Sequence, residues 1–221
     1  SHGNLLLRDV IREQSIHFPK KILVVIEEEV AKAHPALIKS IHSYSLAHRE
    51  YLDFASEPLI ILGGEQCKND PAAVTGVHES ISSLNICRHS YIMAIGGGAF
   101  LDMVGFASAT GHRGVRLIRI PTTVLSQDDS GMGVKNGINA FEKKNFLGTF
   151  AVPHAVFVDF SFLKTLTDRD WVSGVAEAVK VALLKDPDFF YFIERSGGEL
   201  ARRSMDLMKE VVYRSAKLHL E

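Results

Sequence analysis

Short apolar runs rich in β-branched residues alternate, through about residue 160, with stretches whose apolar positions recur at helical spacing. Residues 21–26 (KILVVI) are apolar at almost every position, the pattern of a strand buried on both faces. Residues 27–42 read as a helix. Residues 58–62 predict a second strand, stopped by Gly63-Gly64. Residues 71–84 read as a helix, with Asp70 as its N-cap and Pro71 in its first turn. Residues 90–95 are a third strand entering Gly96-Gly97-Gly98, and 101–111 a helix of small residues. Residues 115–120 form a fourth strand ending at Pro121, and 156–159 a last one. Strands and helices in this order predict a parallel sheet covered by helices.

After about residue 160 the pattern is helical: 168–185, 187–195 and 198 to the end, with Asp168 as a cap and Asp186-Pro187 as a break. The expected fold is therefore α/β. Residues 1–160 form a Rossmann-like domain with a parallel sheet, and residues 161–221 begin an all-α domain. The last helix reaches His219-Leu220-Glu221 without a capping glycine, so the helical domain is expected to be incomplete within this chain.

The 221 residues are 46% hydrophobic, enough for a sizeable core, and the formal net charge is −1. That charge removes bulk attraction for nucleic acid or an anionic membrane, so any anion site must be local. Cys67 and Cys87 suggest neither a metal pair nor a disulfide framework, and a reducing, cytoplasmic setting is expected. No apolar run approaches the length of about 18 residues that a membrane span needs, and the N-terminus lacks a signal-peptide pattern.

The candidate chemistry sits in the turns after the strands. Gly96-Gly97-Gly98 lies between a strand and a helix, where glycine lets a backbone approach a phosphate and the helix N-terminus offers free N–H groups. The run is not GxGxxG, and a tight strand-to-helix turn is the simpler reading. Gly63-Gly64-Glu65-Gln66-Cys67-Lys68 follows the second strand at the same end of the sheet. Glu65 is suited to a ribose or amide, and Lys68 to a phosphate. Pro121-Thr122-Thr123 brings two hydroxyls to that crevice, although such threonines often serve only the strand end. Residues 128–137 form a polar, glycine-rich loop around Lys135, and Lys143-Lys144-Asn145 add charge and an amide. A surface hairpin is the alternative. Glu177 lies among small apolar residues, so it needs a metal or an ion pair, and Lys180 at i+3 is the available partner. The spacing of His112, His154 and His219 makes none of them a ligand.

Taken in order, GGEQCK, GGGAFLDMVGFASAT, HRGVRLIRIPTTVLSQDDSGMGVKNGIN, KKNFLGTF, VFVDFSFLKTL and AEAVK resemble the 3-dehydroquinate synthase family of the sugar phosphate cyclases. The resemblance implies that Glu65, Lys68, Gly97, Gly98, Asp102, Thr122 and Thr123 bind NAD, with Lys144, Phe162 and Thr165 nearby. It implies substrate positions at Asp129, Lys135, Asn145 and Lys180, and a phosphate contact by Arg113 across a homodimer interface. It makes Glu177 a ligand of a divalent metal, zinc or cobalt, whose two histidine partners belong to a later region. The implied chemistry is transient oxidation of a phosphorylated seven-carbon sugar, phosphate elimination, return of the hydride and aldol closure to a carbocycle.

The chain departs from the family pattern where a GGKT-like stretch is usual: Val134 stands for glycine and Asn136 for threonine, and Asp128 and Gly131 are unusual as well. This keeps sedoheptulose 7-phosphate and glucose 6-phosphate open as substrates. A glycerol-dehydrogenase-like oxidoreductase and an NAD-binding fragment without turnover stay open as further alternatives.

Overall fold

The computed structural model describes residues 4–13 and 19–221. A short helix α1 (Leu6–Glu13) precedes strand β1 (Lys20–Glu27), whose central five residues are all buried. Then follow α2 (Glu28–Ala33), α3 (Ala36–Ala47), β2 (Leu52–Phe54), β3 (Leu59–Ile61) and α4 (Pro71–Ser83). β4 (Tyr91–Gly96) leads into α5 (Gly98–Thr110), and β5 (Arg116–Pro121) into a π-helical turn, Ser126–Ser130. A hairpin of β6 (Lys135–Ala140) and β7 (Lys143–Phe150) precedes the short β8 (Ala155–Val156). Three helices end the chain: α6 (Asp168–Lys185), α7 (Pro187–Ala201) and α8 (Met205–Leu220).

The main sheet has the order β2-β1-β4-β5-β8, with β3 pairing the same central strand β1 further along it. Every pairing in it is parallel, as the continuous apolar runs require. Side chains alternate across it. Leu23 and Val25 of β1 face α4 and α5, while Ile22, Val24 and Ile26 face α1 and α3. A third core joins α6, α7 and α8 through Trp171, Phe189 and Met208, and reaches the main body through Val124 and Leu163.

Several boundaries differ from the sequence expectation. The stretch 27–42 is two helices, because His34-Pro35 interrupts it and Pro35 has no N–H to continue the ladder. α5 begins at Gly98, three residues earlier than its apolar periodicity suggests, with Gly97 as N-cap. The last strand is only Ala155–Val156. Thr167, not Asp168, caps α6, its hydroxyl accepting from the Asp170 amide. α7 runs through Gly197-Gly198 to Ala201, and α8 starts only at Met205. Asp70 caps α4 as expected, accepting from the Ala72 amide.

Candidate active site

β1, β3, β4 and β5 run parallel, so the turns that follow them gather at one edge of the sheet. They line a cleft of ≈ 840 Å³. The sequence candidates Glu65, Gly97, Gly98, Thr122, Thr123, Phe162 and Thr165 all border it. Gly97 and Gly98 open the first turn of a 13-residue helix, whose free amides favour an anion.

Glu27, at the end of β1, escaped selection on the sequence. Its Oε1 accepts from the Gly64 amide at 2.9 Å and its Oε2 from the Gly97 amide at 2.7 Å. A Cβ on Gly63 would lie 1.9 Å from that carboxylate, so the turn is glycine because Glu27 fills the space. Gly64, with φ +69°, also needs the left-handed region. His34 is a second addition. It packs edge-on against Phe162 with ring centroids 5.0 Å apart, and its Nε2 is 2.9 Å from Thr165 Oγ1. A strand-end acid and a histidine before proline carry no motif, so only the three-dimensional arrangement reveals them.

Beside the cleft, Lys68 is buried. Its Nζ donates to Asp102 Oδ2 at 2.8 Å and also to Asn145 Oδ1. Burial pushes the Asp102 carboxyl up, against the lowering effect of Lys68. Burial likewise drives the neighbouring Cys67 thiol to about 12, which leaves it without nucleophilic character at neutral pH. The β6–β7 hairpin folds over this corner. Lys144 Nζ lies 3.5 Å from Glu65 Oε1, and Asn139 Nδ2 donates to Asn69 Oδ1 at 2.9 Å. Asn145 thus sits with Lys68, on the side of the expected cofactor residues.

The expected substrate residues lie across the π-helical turn. A Cβ on Gly98 would stand 2.3 Å from Ser130 Oγ, so the helix end and this turn are in contact. Asp129 in the turn meets His219 of α8, with Nε2 3.4 Å from Oδ1. Asp129, Glu177 and His219 each offer a ligand atom, and these atoms lie within 4.8 Å of one another. The spacing gave His219 no such role; α8 folds back onto the Ser126–Ser130 turn, which no local pattern encodes. Glu177 Oε1 also accepts from Lys180 at 2.8 Å, the i+3 pair expected from the sequence. Asp128 is fully buried, neither of its oxygens has a hydrogen-bond partner from another of the described residues, and burial raises its carboxyl to about 8, with Asp129 and Glu177 adding to the shift.

Two carboxylates and an imidazole are donors that suit zinc, cobalt or manganese. Bonds of about 2.0–2.2 Å need ligand atoms closer together than some of these, which side-chain rotation can supply. The residues present therefore fit a divalent cation.

Lys135 is exposed at the start of β6. Arg113 is not brought to the cleft. It follows α5 at the end opposite Gly98, about 20 Å away at 1.5 Å per residue, exposed and in a left-handed conformation with φ +64°.

Residues 58–173 match the family model described as 3-dehydroquinate synthase N-terminal. A 3-dehydroquinate synthase of Jannaschia sp. is 35% identical over 198 residues, covering 90% of this chain and 51% of that protein. ValA, a 2-epi-5-epi-valiolone synthase of Streptomyces hygroscopicus solved with NAD+ and Zn2+ bound, superposes with a TM-score of 0.84. It is 29% identical, covering 99% of this chain and 57% of its own. A 2-deoxy-scyllo-inosose synthase complexed with carbaglucose-6-phosphate, NAD+ and Co2+ gives 0.66 at 26% identity, covering 82% and 47%. The chain spans about half the length of the curated relatives it matches.

Proposed function

The chain belongs to the 3-dehydroquinate synthase family, and from that premise we propose that it serves an NAD- and metal-dependent sugar phosphate cyclase. The substrate is a phosphorylated seven-carbon sugar acid, and the net reaction is phosphate elimination with ring closure. Residues 1–160 form the cofactor domain, and 161–221 begin the domain that completes the metal and substrate site. One observation carries the reading most: the anion-accepting start of α5 at Gly98 abuts Ser130, next to Asp129 with Glu177 and His219 around it. A dinucleotide phosphate on one side and a polyol on the other would then share a wall.

NAD, when bound, supplies reversible hydride acceptance, and the divalent cation supplies Lewis acidity. The chain's own residues do the rest. The amide of Gly98 and those that follow it in the first turn of α5 bind the cofactor's diphosphate, with Thr122 and Thr123 beside them, while the Gly97 amide stays with Glu27. Glu65 and Lys144 close the cleft from the hairpin side, and Phe162 and Thr165 from the helical side. Lys68 neutralises Asp102 and, through Asn145, holds the hairpin down over the cofactor. Glu177, Asp129 and His219 would hold the cation. Lys135 and Lys180 meet the substrate's anionic groups as point charges. Arg113, turned away from its own cleft, serves the cleft of a second copy in a homodimer.

The test is to incubate the whole protein with NAD, zinc and 3-deoxy-arabino-heptulosonate 7-phosphate, following inorganic phosphate and NADH together. Phosphate release without lasting NADH is the expected outcome. Release only from sedoheptulose 7-phosphate or glucose 6-phosphate would move the substrate within the cyclases. Steady NADH formation from a simple polyol would overturn the reading.

A further inference from the structure

The stretch between Asp129 and the β6–β7 hairpin is organised around one buried cation. Arg119 of β5 is 0% exposed. Its Nη1 donates to the carbonyls of Gly131 at 3.1 Å and Gly133 at 2.7 Å. Its Nη2 donates to the carbonyl of Lys135 at 3.3 Å and to Asn136 Oδ1 at 2.6 Å. All four acceptors belong to residues 131–136. Asp102 acts on this guanidinium only through space.

An unpaired charge in a core is costly to keep unless its hydrogen bonds are met. The neighbouring positions on β5, Ile118 and Ile120, are apolar. A side chain that only filled this space would be apolar too. What the guanidinium adds is a planar fork that fixes several acceptors at once, which lysine cannot reproduce.

Two further residues are shaped to it. Asn136 accepts from Arg119 while its own Nδ2 donates to the carbonyls of Val134 at 3.2 Å and Ala151 at 3.4 Å. Gly105 of α5 leaves the room: a Cβ there would lie 1.8 Å from Asn136 Oδ1. Asn136 is also one of the places where the chain departs from the family's usual stretch. Arg119, Asn136 and Gly105, from three separate elements, therefore fit as one unit.

We propose that Arg119 is the positioning residue of the substrate side: with Asn136 and Gly105 it fixes residues 131–136, and so sets where Lys135 and Asp129 stand relative to the cofactor cleft. The inference rests on the reading of Lys135 as a substrate contact and of Asp129 as a ligand of the cation beside it. Arg119 itself does not line the cleft. A displacement of about 1 Å at a reacting group can cost about 100-fold in rate, so an indirect residue of this kind is visible in kinetics.

Arg119→Lys and Arg119→Met test it, by hydrogen–deuterium exchange, NAD titration and turnover of 3-deoxy-arabino-heptulosonate 7-phosphate. Exchange over residues 131–136 is expected to rise about tenfold or more while β4 keeps its protection. The Kd for NAD should stay within about threefold, and kcat/KM for the sugar phosphate should fall about 100-fold. Gly105→Ala leaves Arg119 in place and presses on Asn136, so it should loosen the same residues. Unchanged exchange over 131–136 in all three variants overturns the proposal. So does a loss of NAD binding and β4 protection in step with it, which is general unfolding. If the wild-type protein turns over no sugar phosphate, the functional reading fails, while the exchange data still decide for or against Arg119.

Discussion

Glu27 and Gly97 meet through a 2.7 Å hydrogen bond, the carboxylate at the end of β1 accepting the amide that caps α5. The same carboxylate accepts from Gly64 at 2.9 Å, so one side chain ties together the turns after β3 and β4. Glutamine at position 27 offers one oxygen to two N–H donors and turns its NH2 toward one of them. Glu27→Gln is therefore expected to cost about 1–3 kcal/mol, the range for a charged hydrogen bond lost and a donor left facing a donor. Urea denaturation measures it. A variant within about 0.3 kcal/mol of the parent would mean that the bridge carries no weight.

The Lys68–Asp102 pair predicts a non-additive result. Lys68 is buried and its partner is one-fifth exposed, at 22%. Removing the lysine alone leaves a carboxylate that burial already pushes up, whereas removing both charges leaves none. Lys68→Met should thus destabilise more than Lys68→Met combined with Asp102→Asn. Thermal melts of the two variants and of Asp102→Asn complete the cycle. Additive losses would show that the two groups are independent.

What the sequence made legible was local. The buried strand 21–26, the cap at Asp70 and the Glu177–Lys180 pair follow from periodicity, capping chemistry and i,i+3 spacing. The turns after the strands could be placed at one edge, because parallel strands must present their C-terminal ends together. Partnerships across long separations stayed hidden. Glu27 reaches Gly97 from 70 residues away, and His219 reaches Asp129 from α8. Arg119 looked like one more position of a strand, since nothing in RLIRIP marks which residue turns toward the loop. The break at His34-Pro35 is hidden within 27–42 because it lies inside a continuous helical periodicity.

His154 predicts a pH dependence of stability. Its ring packs edge-on against Tyr91 with centroids 4.9 Å apart, and its Nε2 is buried without a hydrogen-bond partner among the described residues. Burial holds its pKa below the ordinary 6.5, and Arg116 adds to the effect. The folded state therefore resists a proton that the unfolded chain accepts. The contribution is complete above about pH 6.5 and is lost as pH falls through the depressed folded value. His154→Phe, which keeps the ring contact, should flatten the fall in melting temperature between about pH 7 and 5. An unchanged slope would assign that fall to other groups.

The cluster of Asp129, Glu177 and His219 predicts metal binding that can be read without turnover. Cobalt in a low-coordinate site of carboxylates and imidazole gives visible absorption, so titration with Co2+ reports the site directly. Glu177→Ala should abolish the signal. His219→Ala should weaken binding more than tenfold, because even partners outside the ligand shell are commonly worth about 10–100-fold. Lys180 competes with the cation for Glu177 through its 2.8 Å ion pair. Lys180→Met should therefore tighten the metal, the opposite direction from the two ligand variants. If His219→Ala binds Co2+ as the parent does, α8 lies beside the site without belonging to it. If Lys180→Met weakens binding, the lysine supports the geometry of Glu177 rather than competing for it.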